Sequence, residues 1–215
     1  MRPGSWVSVI LAMLLLSPIS ANAVTTLDYD AYLAGAKVGG AAVTIERTAD
    51  SYDIQGKAWS TGFLRMLTKW RSYFNASGNL DQGQPVTEEY GFIEKARNRI
   101  KSIFMSDGEV RYTKNGQARL PQVDPMHTDL LTALFMPNGC ATESAVHNGK
   151  DYFRLTLTAE QSDANGGMRC EYSVIDEDDE LTHATIWLGT IDGLLVPTRM
   201  DLEGAMEGTL LLKNA

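Results

Sequence analysis

The chain has 215 residues, and its 27 acidic and 19 basic side chains leave a net charge of −8. This balance argues against a nucleic-acid-binding protein, whose contact surface is basic and clustered on one face. Residues 24–215 suffice for one domain with a full hydrophobic core. They contain no apolar run of the roughly 20 residues that a membrane-spanning helix needs, so we expect one domain that does not span a membrane.

The amino terminus has the three parts of a secretory signal peptide. Arg2 supplies a positive charge, residues 6–16 form an apolar run, and Ala21-Asn22-Ala23 is a small-x-small cleavage site. The apolar run is too short for a membrane anchor. We therefore predict a signal peptide over residues 1–23 with cleavage after Ala23. The mature protein, residues 24–215, is expected to be periplasmic and associated with the cell envelope.

Alternation of apolar and polar side chains runs through most of the mature chain, as in half-buried strands. Between Leu27 and Leu33, for example, every second residue is apolar. Turn signals such as Asp107-Gly108 and Asn115-Gly116 separate the segments. Strands are predicted over residues 27–33, 37–47, 52–60, 70–76, 86–94, 97–105, 110–114, 152–159, 168–175, 181–188, 194–203 and 209–212. The pattern predicts a mostly β fold, a single antiparallel curved sheet or open barrel of about ten strands.

Two short segments have helical rather than strand spacing. Residues 62–67 place apolar side chains over one or two helical turns. Residues 129–135 form the clearer helix, because Thr128 or Asp129 can cap it and Pro137 follows it. We expect one or two short helices on the concave face of the sheet.

Cys140 and Cys170 are the two cysteines of the chain. In an oxidising compartment a small, even number of cysteines indicates a disulfide. A redox-active pair is the alternative, although such pairs usually have the Cys-x-x-Cys spacing, which is absent here. We predict a structural bridge that closes a loop of about 30 residues.

No set of residues stands out as a catalytic or metal-binding site. No two of the three histidines lie within five residues of each other, and no nucleophile elbow is present. His127, with Asp124 and Asp129 nearby, is the one cluster worth testing for catalysis. The acidic run 176–180 lacks the alternating ligands and central glycine of a calcium loop. We expect no enzyme activity, no cofactor and no bound metal.

Aromatic residues and methionines are frequent in and around the predicted strands. Methionine adapts its packing easily, so this supply suits a cavity for a lipid-like ligand. The ordinary core of a β-rich domain would have the same composition, and that alternative stays open. If a cavity exists, the apolar segment 62–67 is the expected lid. The candidate ligand-binding residues are Trp59, Phe63, Met66, Leu67, Trp70 and Leu134.

Short motifs spread over nearly the whole mature chain follow one another in a characteristic order. They are residues 27–39, Trp59-Ser60-Thr61-Gly62, residues 129–134, Cys140, residues 148–152, Cys170, residues 186–188 and residues 195–199. In this order the chain resembles a bacterial envelope family, the domain of unknown function (DUF) 3108. The resemblance implies an exported, single-domain, β-rich protein with a curved sheet similar to the periplasmic lipoprotein carriers. The family has no established reaction, so it implies no catalytic residues.

Two functional hypotheses follow from these observations. In the first, the concave apolar face binds a lipid, an acyl chain or a hydrophobic peptide. In the second, the protein is a structural or adaptor protein whose core is filled and whose surface docks another envelope component. A cavity lined by Trp59, Phe63, Met66 and Leu134 would favour the first. A solid interior with an exposed apolar patch would favour the second.

Overall fold

The structure is a computed structural model, and it describes residues 23–120, 127–164, 166–204 and 207–213. Within these ranges the chain forms one sheet of fifteen strands and two short helices. The elements are β1 (Ala23–Leu33), β2 (Ala36–Arg47), β3 (Ser51–Ser60), α1 (Gly62–Thr68), β4 (Arg71–Asp81), β5 (Gln84–Ala96), β6 (Arg99–Ser106), β7 (Glu109–Lys114), β8 (Gln117–Arg119), β9 (Thr128–Asp129), α2 (Leu130–Phe135), β10 (Glu143–His147), β11 (Tyr152–Ser162), β12 (Met168–Ile175), β13 (Leu181–Ile191), β14 (Leu194–Glu203) and β15 (Gly208–Leu212). Residues 1–22 of the predicted signal peptide lie outside the described residues, and Ala23 is the first residue of β1.

The prediction of a mostly β fold with an open sheet is confirmed, but the expected number of about ten strands is wrong. The expectation had no counterpart for β8, β9 and β10. Strand β8 has three residues, all exposed, and β9 has only two, so neither is long enough to show alternation. Strand β10 has two buried residues next to each other at its end, which breaks the period-two pattern.

The sheet consists of two meanders joined at their outer strands. Strands β1 to β8 follow one another in space, as do β9 to β15, and β1 pairs with β15 so that Tyr29 lies opposite Leu212. Neighbouring strands are antiparallel except β9 and β10, which are parallel. The first and last described strands therefore meet in the middle of the sheet.

The β9 end of the sheet curls back against β5. The Tyr90 hydroxyl of β5 donates to the Asn148 carbonyl at 2.9 Å, and its ring packs edge-on against His147 at 5.8 Å. Gly149 makes this approach possible, since a Cβ there would lie 2.5 Å from Ile103 Cγ2. The contact also reaches β6 through Ile103, and β7 and β8 follow β6 in the sheet, so the β9 end packs against the first meander without pairing with its edge strand β8.

Helix α2 lies inside the curl, as predicted for residues 129–135. It contacts β3 and β4 on one side and β14 on the other. Its Phe135 packs edge-on against Tyr29 with ring centroids 6.3 Å apart, and the Tyr29 hydroxyl donates to the Pro197 carbonyl at 2.8 Å. The helix thereby joins the two meanders across the main core.

Helix α1 has a different position, although its existence was predicted. None of its residues is buried. It lies against the ends of β2 and β3 and is hydrogen-bonded to Arg97 in the turn between β5 and β6. Only α2 therefore occupies the concave face. Within the part of the chain that the structure describes, both helices are too short to cross a membrane.

Candidate functional site

A cavity of about 250 Å³ lies between α2 and strands β10 to β13. Its wall is mostly apolar and includes Leu134, Met136, Val146, Leu155, Ile186 and Leu188. The strand residues belong to one face of the sheet, because Cys170 of β12 lies directly opposite Ile186 of β13. This face forms a second apolar cluster beside the main core. The cavity is the gap left between that cluster and the helix.

The segment that follows α2 forms one wall of the cavity and is attached at two points. The predicted disulfide between Cys140 and Cys170 is present, with Cα atoms 5.5 Å apart, and ties the segment to β12. The Asn138 side-chain amide donates to the Gln84 side-chain carbonyl at 2.8 Å, which ties the segment to the start of β5. The wall is therefore held from both meanders.

A buried polar network fixes the start of α2. Asp129 is fully buried, and its Oδ1 accepts hydrogen bonds from the amides of Leu131 and Thr132, both at 2.9 Å. Its Oδ2 accepts from the Thr87 hydroxyl at 2.6 Å. These contacts satisfy amides that the first helical turn leaves without a partner.

The same network includes Tyr52, whose hydroxyl lies 3.0 Å from that of Thr132. Burial raises the pKa of Tyr52. Tyr172, in the cavity wall, also has a raised pKa because burial disfavours its phenolate. Burial thus makes both phenols harder to ionise, and Tyr172 places its neutral side chain in the cavity wall.

Two of the three residues in the candidate catalytic cluster, His127 and Asp129, make contacts that have a structural role. Asp129 is the cap of α2, and the His127 ring packs edge-on against Tyr152 at 5.1 Å. Asp124 lies outside the described residues. Among the described residues, no group of three or more His, Cys, Asp or Glu side chains could share a metal ion. In the acidic run, Asp176 accepts from the amides of Asp178 and Glu180 and so closes the β12–β13 turn.

The structure separates the six candidate ligand-binding residues. Leu134 lines the cavity, whereas Trp59, Met66 and Trp70 line an open depression outside α1. Phe63 and Leu67 are exposed on α1. The six residues thus do not form one site, and segment 62–67 does not cover the cavity.

Strand parity explains the position of Trp59, which we expected to line a cavity. Ala58 pairs with the buried Ala41, so the side chain of Trp59 lies on the opposite face. The residues that do line the cavity with Leu134 come mainly from the segment after α2 and from strands β10 to β13. Their apolar alternation was visible in the sequence for β11 and β13, but it is the same signal that any core strand gives.

The described fold and site define a disulfide-bonded, β-rich protein with an apolar cavity beside its inner helix. No family model matches the chain, and no curated protein matches its sequence. Among solved structures, the chain is similar to a β-barrel-like protein of a domain of unknown function, DUF1849, from Brucella abortus. The two share 7% sequence identity over 89% of this chain and 95% of that one, with a TM-score of 0.49. Membership of the DUF 3108 family stays a prediction.

Proposed function

We propose that this chain is a periplasmic, envelope-associated protein that binds the acyl chain of a lipid, or a hydrophobic ligand of similar width, in the cavity beside α2. The observation that carries the proposal is the mostly apolar lining of a partly open cavity of about 250 Å³. Engineered apolar cavities of about 150 Å³ bind benzene, and sites for drug-sized ligands start near 300 Å³. The space suits part of one acyl chain rather than a whole lipid.

Export is supported by two features of the chain. The sequence begins with the pattern of a signal peptide that ends at Ala21-Asn22-Ala23. The Cys140–Cys170 disulfide is of a kind that persists in oxidising compartments. An acyl chain is a suitable ligand there, since the bacterial envelope is rich in lipids and their fragments.

Chain length gives the proposal a quantitative test. Each buried methylene contributes about 0.8 kcal/mol, which is roughly a fourfold gain in affinity. Affinity should therefore rise with each added carbon of a straight-chain fatty acid until the cavity is full, and then level off. Binding to an exposed surface patch would have no such limit.

The experiment is a calorimetric titration of the mature protein with fatty acids of increasing length. The variant Leu134→Trp fills the cavity and should abolish saturable binding, whereas Leu211→Trp, on a partly exposed residue of β15, should not. Equal binding by both variants would show that the ligand sits elsewhere. Failure of the wild-type protein to bind any chain length would favour the structural or adaptor hypothesis.

A further inference from the structure

Helix α1 exposes an apolar face that no other part of the described chain covers. Phe63, Met66 and Leu67 are 71%, 70% and 53% exposed. Their spacing of three and four residues places them side by side on a helix. Exposing three large apolar side chains together is unfavourable in water, so a contiguous patch of this type indicates an interaction surface.

Beside this apolar face lies an open depression of about 730 Å³ with a strongly basic lining. It contains four cationic side chains and no carboxylate: Lys57, Arg65, Lys69 and Arg71. None of the four forms an ion pair with a residue that the structure describes. The Lys57 ammonium lies 5.9 Å from the centroid of the Trp59 ring, which leaves its charge without a counterion among the described residues. On a chain with a net charge of −8, such a concentration of positive charge without ion pairs points to an anionic partner.

The surface of the sheet next to the depression also combines basic and apolar side chains. Arg71 of β4 lies directly opposite Lys95 of β5, and the same row contains Trp59 on one side and Ile100 on the other. Like charges in opposite positions destabilise a sheet. Folding therefore gives no reason for the Arg71–Lys95 pair, whereas an external anion would.

The orientation of α1 is fixed by the adjacent hairpin. The Arg97 guanidinium donates to the Met66 carbonyl at 3.1 Å, and the Arg97 amide donates to the Thr68 carbonyl at 2.8 Å. The end of the helix is thus bonded to the turn between β5 and β6. The apolar face and the cations are held in a constant relation to each other.

We propose that this surface docks on a bilayer of anionic phospholipids. Phe63, Met66 and Leu67 enter the interface, and the surrounding lysines and arginines contact headgroup phosphates. A single weak apolar anchor binds membranes only transiently, but an anchor combined with a basic cluster binds stably. Trp59 and Trp70 fit the same environment, because tryptophan is enriched at the level of the headgroups.

Docking in this way sets the position of the cavity relative to the membrane. Helix α1 precedes Arg71 at the start of β4, whereas Gln84 and Pro85, which line the cavity, follow the other end of that strand. Eleven residues of strand extend roughly 36 Å. The cavity would therefore sit on the side of the protein that faces away from the bilayer.

The test is co-sedimentation of the mature protein with vesicles of phosphatidylcholine alone or with 30% phosphatidylglycerol. We expect binding to the anionic vesicles only, weakened by 0.5 M salt. Replacing Phe63, Met66 and Leu67 together by serine should abolish binding. Replacing Arg65, Lys69 and Arg71 together by glutamine should weaken it on the order of 100-fold.

Matched variants control for general effects of the substitutions. The pair Leu181→Ser and Leu202→Ser removes side chains that are 58% and 53% exposed elsewhere. The set Arg111→Gln, Lys114→Gln and Arg119→Gln removes three charges from β7 and β8. Both should bind as the wild-type protein does, and circular dichroism checks that every variant is folded.

Three results would overturn the proposal. The first is equal binding to neutral and anionic vesicles. The second is undiminished binding by both the triple serine variant and the triple glutamine variant. The third is no vesicle binding by the wild-type protein. In the last case a protein partner would be the occupant of this surface. The test is independent of the proposed ligand site, because Leu134→Trp leaves α1 intact and the α1 variants leave the cavity intact.

Discussion

The hydroxyl oxygens of Tyr52 and Thr132 lie 3.0 Å apart, which joins strand β3 to helix α2 inside the curled sheet. The Thr87 hydroxyl of β5 lies within 3.2 Å of both. Two strands and one helix that are distant in sequence therefore meet in one polar cluster within an apolar interior. Since α2 forms one side of the cavity, this cluster helps to determine the shape of the proposed site.

Thr132→Val should lower the free energy of unfolding by about 1–2 kcal/mol, because Val has the same shape but leaves the Tyr52 and Thr87 hydroxyls short of a partner. Urea denaturation measures the change. Thr190→Val, at an exposed position of β13, is the control and should have little effect. Equal stability of both variants would mean that the cluster does not stabilise α2.

Asp129→Ala should lower the free energy of unfolding further, by about 2–3 kcal/mol, because it leaves two amides of α2 without an acceptor and removes the shorter hydrogen bond of the Thr87 hydroxyl. Asp129→Asn keeps an oxygen that can cap the helix and should recover part of the loss. Thermal denaturation of the two variants provides the comparison. If alanine and asparagine were equivalent, capping would not be the role of Asp129.

Replacing Cys140 and Cys170 by serine should lower the free energy of unfolding by about 3–4 kcal/mol, since the bridge closes a loop spanning 30 positions. It should also weaken ligand binding, because the segment after α2 loses one of its two attachments. The intact mass with and without reductant shows whether the bridge is formed. A variant with wild-type melting temperature would contradict a stabilising role.

Alkaline pH should unfold the protein through its buried phenols. Burial raises the pKa of Tyr29 and of Tyr90 above the usual value of 10.0. The stability that each neutral phenol contributes is therefore complete below pH 10 and is lost as the pH rises further. Absorbance at 295 nm should show these phenols ionising together with the loss of circular dichroism. Ionisation within a still-folded protein would contradict this linkage.

Several elements of the fold could be predicted because their signals are local. Asp129 followed by an apolar run and Pro137 marks α2 without any knowledge of the sheet. The two cysteines allowed a single intramolecular pairing, which the structure contains. Alternation from Leu27 onward predicted β1 to β7 of the first meander.

The remaining features depend on contacts between distant parts of the chain. Strands β8 and β9 are strands only because a neighbour pairs with them. The cavity could not be predicted from Leu134 alone, since its other walls come from strands that read as ordinary core. The exposure of Phe63 was missed for the same reason: an apolar helical turn is usually buried, and only the assembled sheet shows that α1 lies outside it.

The most direct test of ligand binding is native mass spectrometry of the mature protein purified gently from the periplasm. We predict a reproducible added mass that organic solvent extracts and that Leu134→Trp removes, whereas Leu211→Trp and the α1 serine variant retain it. A wild-type protein that carries no added mass, and gains none when phospholipid or fatty acid is supplied, would contradict the proposed function.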